Sequence, residues 1–298
     1  MASFANVGVV AKQRDARVLP TLAAVCAELR KHGCEVTVDT QSAARLDSDY
    51  PAVSLNELGK VCNLVIVVGG DGTLLNAGRA LAAASVPILG INQGRLGFMV
   101  DVPPRDMSAA LAAVLNGEYE ADDRMILSAR IRRVDGTLAG PYIAINDVVV
   151  RNQATIRMLE FETWLDDQFI SLHRADGMIV SSPTGSTAYA LSGGGPLLHP
   201  GLSAMALVPI CPHTLSDRPI VVGGDRVVKL VMGVTERTRA MATFDGQFNE
   251  GLAAGDSVEV ARAPFPLRLI HPRGFDYFSI LRDKLRWGRG PETPSERA

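Results

Sequence analysis

A short glycine-rich segment holds the first residues that could carry out chemistry. The sequence GGDGT at 69–73 follows the apolar run VIVV at 65–68. Glycines between a strand and a helix commonly leave room for a phosphate group, which backbone N–H groups and the helix N-terminus attract. The segment matches neither GxGxxG nor GxxxxGK[ST], and no lysine follows it to neutralise phosphate charge. The carboxylate of Asp71 therefore needs an explanation, because it would repel phosphate.

Two kinds of chemistry explain an acid at this position. Asp71 can accept the proton of a hydroxyl group that attacks phosphorus, or it can reach phosphate oxygens through a bridging Mg²⁺ ion. Both interpretations favour phosphoryl transfer. A tight strand–helix turn with an Asp N-cap explains the same residues without any chemistry. This segment alone does not separate the two explanations.

The segment DGMIVSSPTGSTAYALSGGGP at 176–196 is a second candidate site. Six hydroxyl side chains lie within nine residues of it, namely Ser181, Ser182, Thr184, Ser186, Thr187 and Tyr189. Hydroxyl groups beside the free N–H groups of a helix start suit a polar nucleotide. A tolerant surface loop is the alternative. The density of hydroxyl groups at a predicted strand–helix junction favours a binding site.

A polar pair interrupts the apolar strand pattern AINDVVVRN at 144–152. Strand interiors disfavour Asn and Asp, so Asn146 and Asp147 need a reason to be there. The amide could bind an adenine edge while the carboxylate accepts from ribose hydroxyl groups. A β-bulge or a turn explains the pair equally well.

Three weaker candidates have ordinary structural explanations. Arg174 and Asp176 would form an exposed ion pair at the start of a strand. The Asp-Gly dipeptide in FDGQ at 244–247 predicts a hairpin turn. His213 is more typical of a structural histidine than of a base.

The first third of the chain alternates predicted strands with predicted helices. The strands are expected at 7–12, 35–39, 63–68 and 86–92, and the helices at 17–33, 73–84 and 104–118. This alternation predicts an α/β domain with a Rossmann-like parallel sheet. Ligands of such sheets bind beyond the carboxyl ends of the strands, which is where the glycine-rich segment falls.

From about Asp122 the pattern changes to short segments rich in β-branched residues and separated by turns. This pattern predicts an all-β, sandwich-like second domain. The segment at 275–288 becomes helical again. We therefore expect an α/β domain at 1–122, to which 272–298 returns, and a β-rich dinucleotide-binding domain at 123–271.

Composition and charge exclude several classes of protein. The net charge is −2 and the basic residues are spread along the chain, which argues against a nucleic-acid partner. No apolar stretch is long enough for a signal peptide or a membrane span. The four cysteines form no CxxC pair and are typical of buried free thiols. These features predict a cytoplasmic protein that does not bind a membrane.

Taken in order, these segments resemble those of one family, the bacterial NAD kinases (the ATP-NAD kinase family). The resemblance rests on GGDGT at 69–73, the pair at 146–147, the long segment at 176–196, PICPHTLSDRP at 209–219 and DGQ at 245–247. LIHP, followed by an aromatic-rich helix at 269–287, fits the same pattern. The matches occur in the order and with the spacing of that family.

This resemblance implies an α/β N-terminal domain, a β-sandwich C-terminal domain and an active site between them. It implies transfer of the γ-phosphoryl group of ATP to the adenosine 2′-hydroxyl of NAD⁺, giving NADP⁺ and ADP. Mg²⁺ or another divalent metal would arrive with ATP, and no metal ligands can be named from the sequence. The chain would form a homodimer or a homotetramer.

The resemblance also implies roles for individual residues. Asp71 would be the general base for the 2′-hydroxyl, and Gly72 would offer its backbone to the dinucleotide. The further substrate contacts would be Asn146, Asp147, Arg157, Arg174, Asp176, Thr187, Ala188, Tyr189, Ser192 and Gln247. Many relatives have Glu where Asp147 stands here, which is a conservative difference.

Three other functions compete with this interpretation. A diacylglycerol- or sphingosine-type lipid kinase shares the GGDGT segment, but the hydroxyl cluster at 181–189 suits a nucleotide better than an apolar substrate. Phosphofructokinases share a similar segment, but the β-rich second half fits them poorly. A non-catalytic NAD(P) sensor would bind the dinucleotide without making product, and it would do better without the negative charge of Asp71.

Overall fold

The computed structural model describes residues 4–13, 15–46, 49–94, 97–153, 158–214, 216–234 and 239–286. The chain divides into two compact units. One unit contains the described residues up to Asp122 and those from Arg268 onwards, and the other contains Asp123–Leu267. No helix in the described part of the chain is long and apolar enough to cross a membrane.

The helices and strands are as follows. The strands, in chain order, are β1 (Asn6–Ala11), β2 (Glu35–Asp39), β3 (Ala52–Val53), β4 (Leu64–Gly69), β5 (Ile88–Asn92), β6 (Tyr119–Arg124), β7 (Leu127–Arg132), β8 (Leu138–Ala144), β9 (Asp147–Asn152), β10 (Leu159–Leu165), β11 (Gln168–Ala175), β12 (Gly177–Ser181), β13 (Ala204–Ile210), β14 (Ile220–Gly223), β15 (Val228–Met232), β16 (Ala240–Phe244), β17 (Phe248–Leu252), β18 (Ser257–Arg262) and β19 (Leu267–Pro272). The α-helices are α1 (Leu19–Lys31), α2 (Thr40–Ala43), α3 (Leu55–Val61), α4 (Asp71–Leu81), α5 (Met107–Leu115), α6 (Tyr189–Ser192) and α7 (Tyr277–Leu285).

The first unit is built on a seven-stranded sheet in the order β3-β2-β1-β4-β5-β19-β6. The pairs from β3 to β19 are all parallel. Every residue of the central strand β4 is buried, as expected for a parallel strand that is covered on both faces. On one face, α1 and α5 pack with apolar residues of the strands such as Val9 and Ile66.

The second unit contains two six-stranded sheets whose strand pairs are antiparallel. Their strand orders are β11-β10-β15-β18-β7-β8 and β14-β13-β12-β9-β16-β17. Inward-facing residues of both sheets form one apolar core, with Leu127 and Phe161 from the first sheet and Val148 and Phe244 from the second. Two sheets that share one core make a β-sandwich.

The predicted fold class is confirmed, because a parallel sheet with helices is followed by two antiparallel sheets. One stretch lies elsewhere than expected. Residues 268–271 were predicted in the second domain, but they belong to β19, where Leu269 pairs in parallel with Ile88. The apolar residues of this short stretch are compatible with a strand but do not indicate which sheet it joins.

The predicted C-terminal helix is present as α7 in the first unit. It begins after Asp276, whose side chain accepts a hydrogen bond from the backbone N–H of Phe278. The last predicted residues of this helix, 287–288, lie outside the described residues.

Candidate functional site

Asp71 lies where the central strand gives way to a helix. β4 ends at Gly69 and α4 begins at Asp71. Gly70 is the N-cap, so the alternative of a turn capped by the Asp71 side chain is wrong. A carboxylate in the first turn of a helix is stabilised by the positive end of the helix dipole. A methyl group at Gly69 would lie 2.8 Å from Cβ of Thr73, which explains why this turn needs glycine.

The Asp71 carboxylate also organises a second loop, which the sequence analysis missed. Its Oδ2 accepts a hydrogen bond from the backbone N–H of Phe98 at 2.9 Å. Its Oδ1 accepts from Met99 at 3.1 Å and from Val100 at 3.2 Å. A methyl group at Gly97 would collide with the same Oδ1. The side chain is thus held in one orientation by a loop that passes close to it.

The backbone beside the acid is open on its other side. A methyl group at Gly72 would meet no atom within 4 Å. This space is large enough for a ligand atom to lie beside the glycine. The contact of Gly72 with the dinucleotide stays a prediction.

The second unit contains a polar pocket with a volume of about 440 Å³. Its lining includes four residues that the sequence predicts for the site, Asn146, Asp147, Ala188 and Tyr189. The other lining residues are Val149, Arg151, Thr243, Asp245, Gly246 and Asn249. The pocket therefore offers amide, hydroxyl, carboxyl and guanidinium groups beside an aromatic ring, which suits a polar ligand with a flat ring.

Asp245 forms one wall of this pocket and fixes the polar pair. It lies in the turn between β16 and β17 with a φ of 51°, and Gly246 follows with a φ of 64°. Its carboxylate accepts hydrogen bonds from the backbone N–H groups of Ile145 at 3.0 Å, Asn146 at 2.7 Å and Asp147 at 3.3 Å. The predicted hairpin turn is present, and its acid has a role that the Asp-Gly dipeptide alone did not indicate.

The serine-rich segment holds the same pair from another side. The backbone N–H of Ser182 donates to the carbonyl of Asn146 at 2.8 Å, and its hydroxyl group donates to the carbonyl of Ile145 at 2.5 Å. A methyl group at Gly185 would collide with the Asn146 carbonyl. The pair forms no β-bulge: Asn146 lies in a bend between β8 and β9 and Asp147 begins β9, so the chain changes direction there, as the turn alternative predicts. Close backbone packing holds both residues in place.

Three of the six clustered hydroxyl groups, those of Ser181, Ser182 and Ser186, bond to the fold itself. The buried hydroxyl group of Ser186 donates to the carbonyl of Pro183 at 2.6 Å and accepts from the N–H of Leu198 at 2.9 Å. The hydroxyl group of Ser181 donates to the carbonyl of Ser182 at 2.9 Å. The interpretation that these hydroxyl groups face a nucleotide is wrong for Ser181, Ser182 and Ser186, because burial closes them off from ligand.

The charge of Asp147 is costly in this setting. Burial raises the pKa of its carboxyl group to about 7, and the nearby Asp245 carboxylate adds to the rise. Asp147 is therefore partly protonated at neutral pH and can donate as well as accept a hydrogen bond. Arg151 lies four residues after Asp147 on the same face of β9 and lines the same pocket, as does Val149 between them, so the period of two in β9 is the signal that could have identified Arg151.

The remaining predicted site residues are not among the described residues that line this pocket. Arg174 pairs with Glu160 at 2.9 Å and is exposed, so its ion pair is not the one expected with Asp176. Four others lie near the ends of elements, with Asp176 before β12, Thr187 in a 3₁₀ turn, Ser192 at the end of α6 and Gln247 before β17. Arg157 lies outside the described residues.

Metal-binding capacity is low in the described part of the chain. No group of three or more His, Cys, Asp or Glu side chains there converges on a point that could hold a metal ion.

Comparison with known proteins identifies relatives over almost the whole chain. The family model of the ATP-NAD kinase N-terminal domain matches residues 7–119. The model of the ATP-NAD kinase C-terminal domain matches residues 145–272. The NAD kinase of Hahella chejuensis is 44% identical over 288 residues, which cover 96% of this chain and 97% of the relative. That of Pseudomonas putida is 44% identical over 289 residues, 97% of each chain.

Two solved structures share the fold. The crystal structure of yeast NADH kinase complexed with NADH has a TM-score of 0.88 at 21% identity and covers 97% of this chain and 89% of that chain. An NAD kinase from Archaeoglobus fulgidus in complex with ATP has a TM-score of 0.73 at 25% identity and covers 94% and 98% of the two chains.

Proposed function

The chain belongs to the ATP-NAD kinase family, and we infer that it transfers the γ-phosphoryl group of ATP to the adenosine 2′-hydroxyl of NAD⁺. The products are NADP⁺ and ADP. In this reaction the 2′-oxygen forms a bond to the γ-phosphorus, while the bond between that phosphorus and the β,γ-bridging oxygen breaks. The hydroxyl proton must leave, and a base is needed to receive it.

The observation that carries the proposal is the fixed carboxylate of Asp71 at the end of β4. Three backbone N–H groups orient this side chain, and it stays about one-quarter exposed, at 28%. A protein that only bound phosphate would gain from a positive or neutral group here. A base for a substrate hydroxyl group explains the acid directly, and base catalysis of this kind typically contributes about 10²–10⁴-fold.

We assign the dinucleotide to the polar pocket of the second unit. The Asn146 amide suits the edge of an adenine ring, and Asp147 suits ribose hydroxyl groups, to which it can donate or accept. The aromatic ring of Tyr189 can stack on a base. Further contacts are proposed for Gly72, Arg157, Arg174, Asp176, Thr187, Ala188, Ser192 and Gln247.

The proposal also covers the divalent metal, the oligomeric state and the cellular compartment of the enzyme. A divalent metal, Mg²⁺ in the first place, would enter with ATP and would supply neutralisation of the phosphate charge. Mg²⁺ commonly binds through substrate phosphate oxygens and water with few protein ligands. The working enzyme is a homodimer or a homotetramer, and it acts in the cytoplasm.

The test is incubation of the purified protein with NAD⁺, ATP and Mg²⁺, with NADP⁺ measured by an NADP⁺-specific dehydrogenase. Reactions without ATP and without Mg²⁺ serve as controls. An NAD⁺ analogue that lacks the adenosine 2′-hydroxyl should give no ADP above background, because the acceptor oxygen is absent.

This assay, together with calorimetry and a lipid-phosphorylation assay, distinguishes the competing functions. NADP⁺ formation that requires ATP supports the kinase. Dinucleotide binding by calorimetry without any product would contradict it and support a non-catalytic sensor. Phosphorylation of a lipid but not of NAD⁺ would favour a lipid kinase.

A further inference from the structure

The structure brings a lysine to the acid of the glycine-rich segment, although no lysine follows that segment in the sequence. Lys284 lies in the last turn of α7, and its Nζ is 3.9 Å from Oδ2 of Asp71. The two residues are separated by more than two hundred positions in the chain and belong to the same compact unit. The segment therefore has a cation that only folding supplies.

The position of the Lys284 ammonium group is defined by two neighbours. It lies 4.9 Å from the centre of the Phe98 ring, on the ring face. The backbone N–H of Phe98 in turn donates to the same Asp71 oxygen that faces Lys284, at 2.9 Å. A cation over an aromatic face is attracted by the ring, so Phe98 helps to hold the ammonium group beside the acid.

The ammonium group is also available to a ligand. The Lys284 side chain is 26% exposed and that of Asp71 is 28% exposed, so both can be reached from solvent. At 3.9 Å the pair is longer than a normal N–H···O hydrogen bond. The three ammonium donors are therefore not fully used by Asp71, and a phosphate oxygen could accept from them.

We propose that Lys284 binds the phosphate chain of ATP during the reaction. This inference rests on the proposed function. While ATP is not bound, the positive charge of Lys284 offsets the negative charge of Asp71. When ATP binds, the ammonium group contacts a phosphate oxygen and lowers the repulsion between Asp71 and the phosphates, as the lysine of a P-loop does.

The experiment compares Lys284→Met and Lys284→Arg with the wild type. Methionine keeps most of the apolar length of lysine and removes the charge, whereas arginine keeps the charge. Arg282→Met is the matched control, because it removes a cation from the same helix. Arg282 is separated from Lys284 by about 200° around the helix axis and pairs instead with Asp276, at 3.4 Å.

Two measurements are made on each variant. The first is the KM for ATP and for NAD⁺, together with kcat. The second is the affinity for a non-hydrolysable ATP analogue with Mg²⁺, by calorimetry at low and at high salt. Thermal unfolding verifies that each variant is folded, and Lys284→Gln replaces the methionine variant if that protein is unstable.

We expect Lys284→Met to raise the KM for ATP and to weaken analogue binding by about 10- to 100-fold, the usual worth of a charged hydrogen bond. The KM for NAD⁺ should change little, and Lys284→Arg should restore most of the affinity. The difference from the wild type should shrink at high salt, because salt screens the charges. Arg282→Met should behave as the wild type.

Other outcomes would overturn the inference. Unchanged KM for ATP and unchanged analogue affinity in Lys284→Met would do so, as would an equal loss in Arg282→Met. A loss of kcat alone, with ATP binding intact, would make Lys284 a positioning residue for Asp71 and not a phosphate ligand. Failure of the wild type to form NADP⁺ would contradict the proposed function separately, since analogue binding still reports on Lys284.

Discussion

The carboxylate of Asp245 accepts a hydrogen bond of 2.7 Å from the backbone N–H of Asn146, although 99 residues separate them in the chain. This contact ties the turn between β16 and β17 to the segment that leads into β9. The same carboxylate faces Asp147 and contributes to its raised pKa. One acid in a hairpin turn thus positions the backbone of Asn146 and adds to the rise in pKa that burial causes at Asp147.

We predict that Asp71→Asn lowers kcat by about 10²–10⁴-fold, because the variant has no base for the acceptor hydroxyl group. The asparagine oxygen can still accept from part of the loop at 98–100. The fold and dinucleotide affinity should therefore remain close to those of the wild type. Steady-state kinetics, calorimetry with NAD⁺ and thermal unfolding test this. Near-normal kcat would exclude Asp71 as the base.

Gly97→Ala tests whether the orientation of Asp71 matters while its charge is retained. The added methyl group would collide with Oδ1 of Asp71 and lie 2.9 Å from the Val100 carbonyl. We expect kcat to fall by about tenfold or more, since a displaced catalytic group loses its alignment. Gly94→Ala is the control, because a methyl group there meets nothing within 4 Å. Equal activities of the two variants would argue against a need for this orientation.

Asn146→Ala should mainly weaken NAD⁺ binding. Loss of one or two hydrogen bonds to the substrate predicts a KM for NAD⁺ that is roughly 3- to 30-fold higher, with a smaller change in kcat. The KM for ATP should not change. Asn116→Ala, an exposed residue after α5, is the matched control. An unchanged KM for NAD⁺ with normal kcat would remove Asn146 from the binding site.

Asp147→Asn should change the pH dependence of stability. The folded-state pKa of Asp147 is raised to about 7, from an ordinary value near 3.8. The group therefore favours folding most below about pH 4 and loses this contribution as the pH rises through 7. Asparagine has no carboxyl group to ionise, so it avoids the cost of a buried negative charge. The stability of the variant relative to the wild type should therefore increase as the pH rises from 5 to 8.

Denaturant unfolding at several pH values measures that difference. Asp135→Asn is the control, because hydrogen bonds from Thr137 lower the pKa of Asp135. Above the ordinary pKa of an aspartate, the contribution of Asp135 to the free energy of unfolding therefore no longer changes with pH. Its offset from the wild type should stay constant from pH 5 to pH 8. A constant offset for Asp147→Asn as well would show that its carboxyl group does not titrate in this range.

His271 predicts a second pH effect, in the first unit. Burial lowers its pKa, but hydrogen bonds and charge from Asp101 and Asp122 outweigh this, and the net direction is upward. Its Nδ1 is 3.0 Å from Asp101 and its Nε2 is 3.6 Å from Asp122. A raised histidine pKa stabilises the fold fully below about 6.5, and the contribution is lost as the pH rises through the folded-state pKa.

The wild type should therefore exceed His271→Gln in stability most at pH 5–6, and the difference should shrink above pH 7. Denaturant unfolding of both proteins across this range measures it. His213→Gln, which changes an exposed histidine, is the control. A difference that grows with pH would contradict the assignment of a charged His271.

Local patterns in the sequence were enough for the fold class and for the candidate segments. The β-branched run before GGDGT predicts the buried strand β4, and the short segments after Asp122, rich in β-branched residues and separated by turns, predict a β-sandwich. Both follow from local rules, because side-chain periodicity depends on whether a segment is a helix or a strand and on which of its faces are buried. The motifs also predict the pocket residues Asn146, Asp147 and Tyr189, which the structure brings together.

Contacts between distant segments were decided only by the tertiary structure. Nothing near Asp245 in sequence indicates that it binds the Asn146 backbone, and nothing near Asp71 indicates Lys284. The sequence predicts that the hydroxyl group of Ser186 is available to a ligand, but in the structure it is buried and donates to the carbonyl of Pro183. The physical reason is that packing fixes which segments meet, and desolvation then sets the pKa of a group such as Asp147.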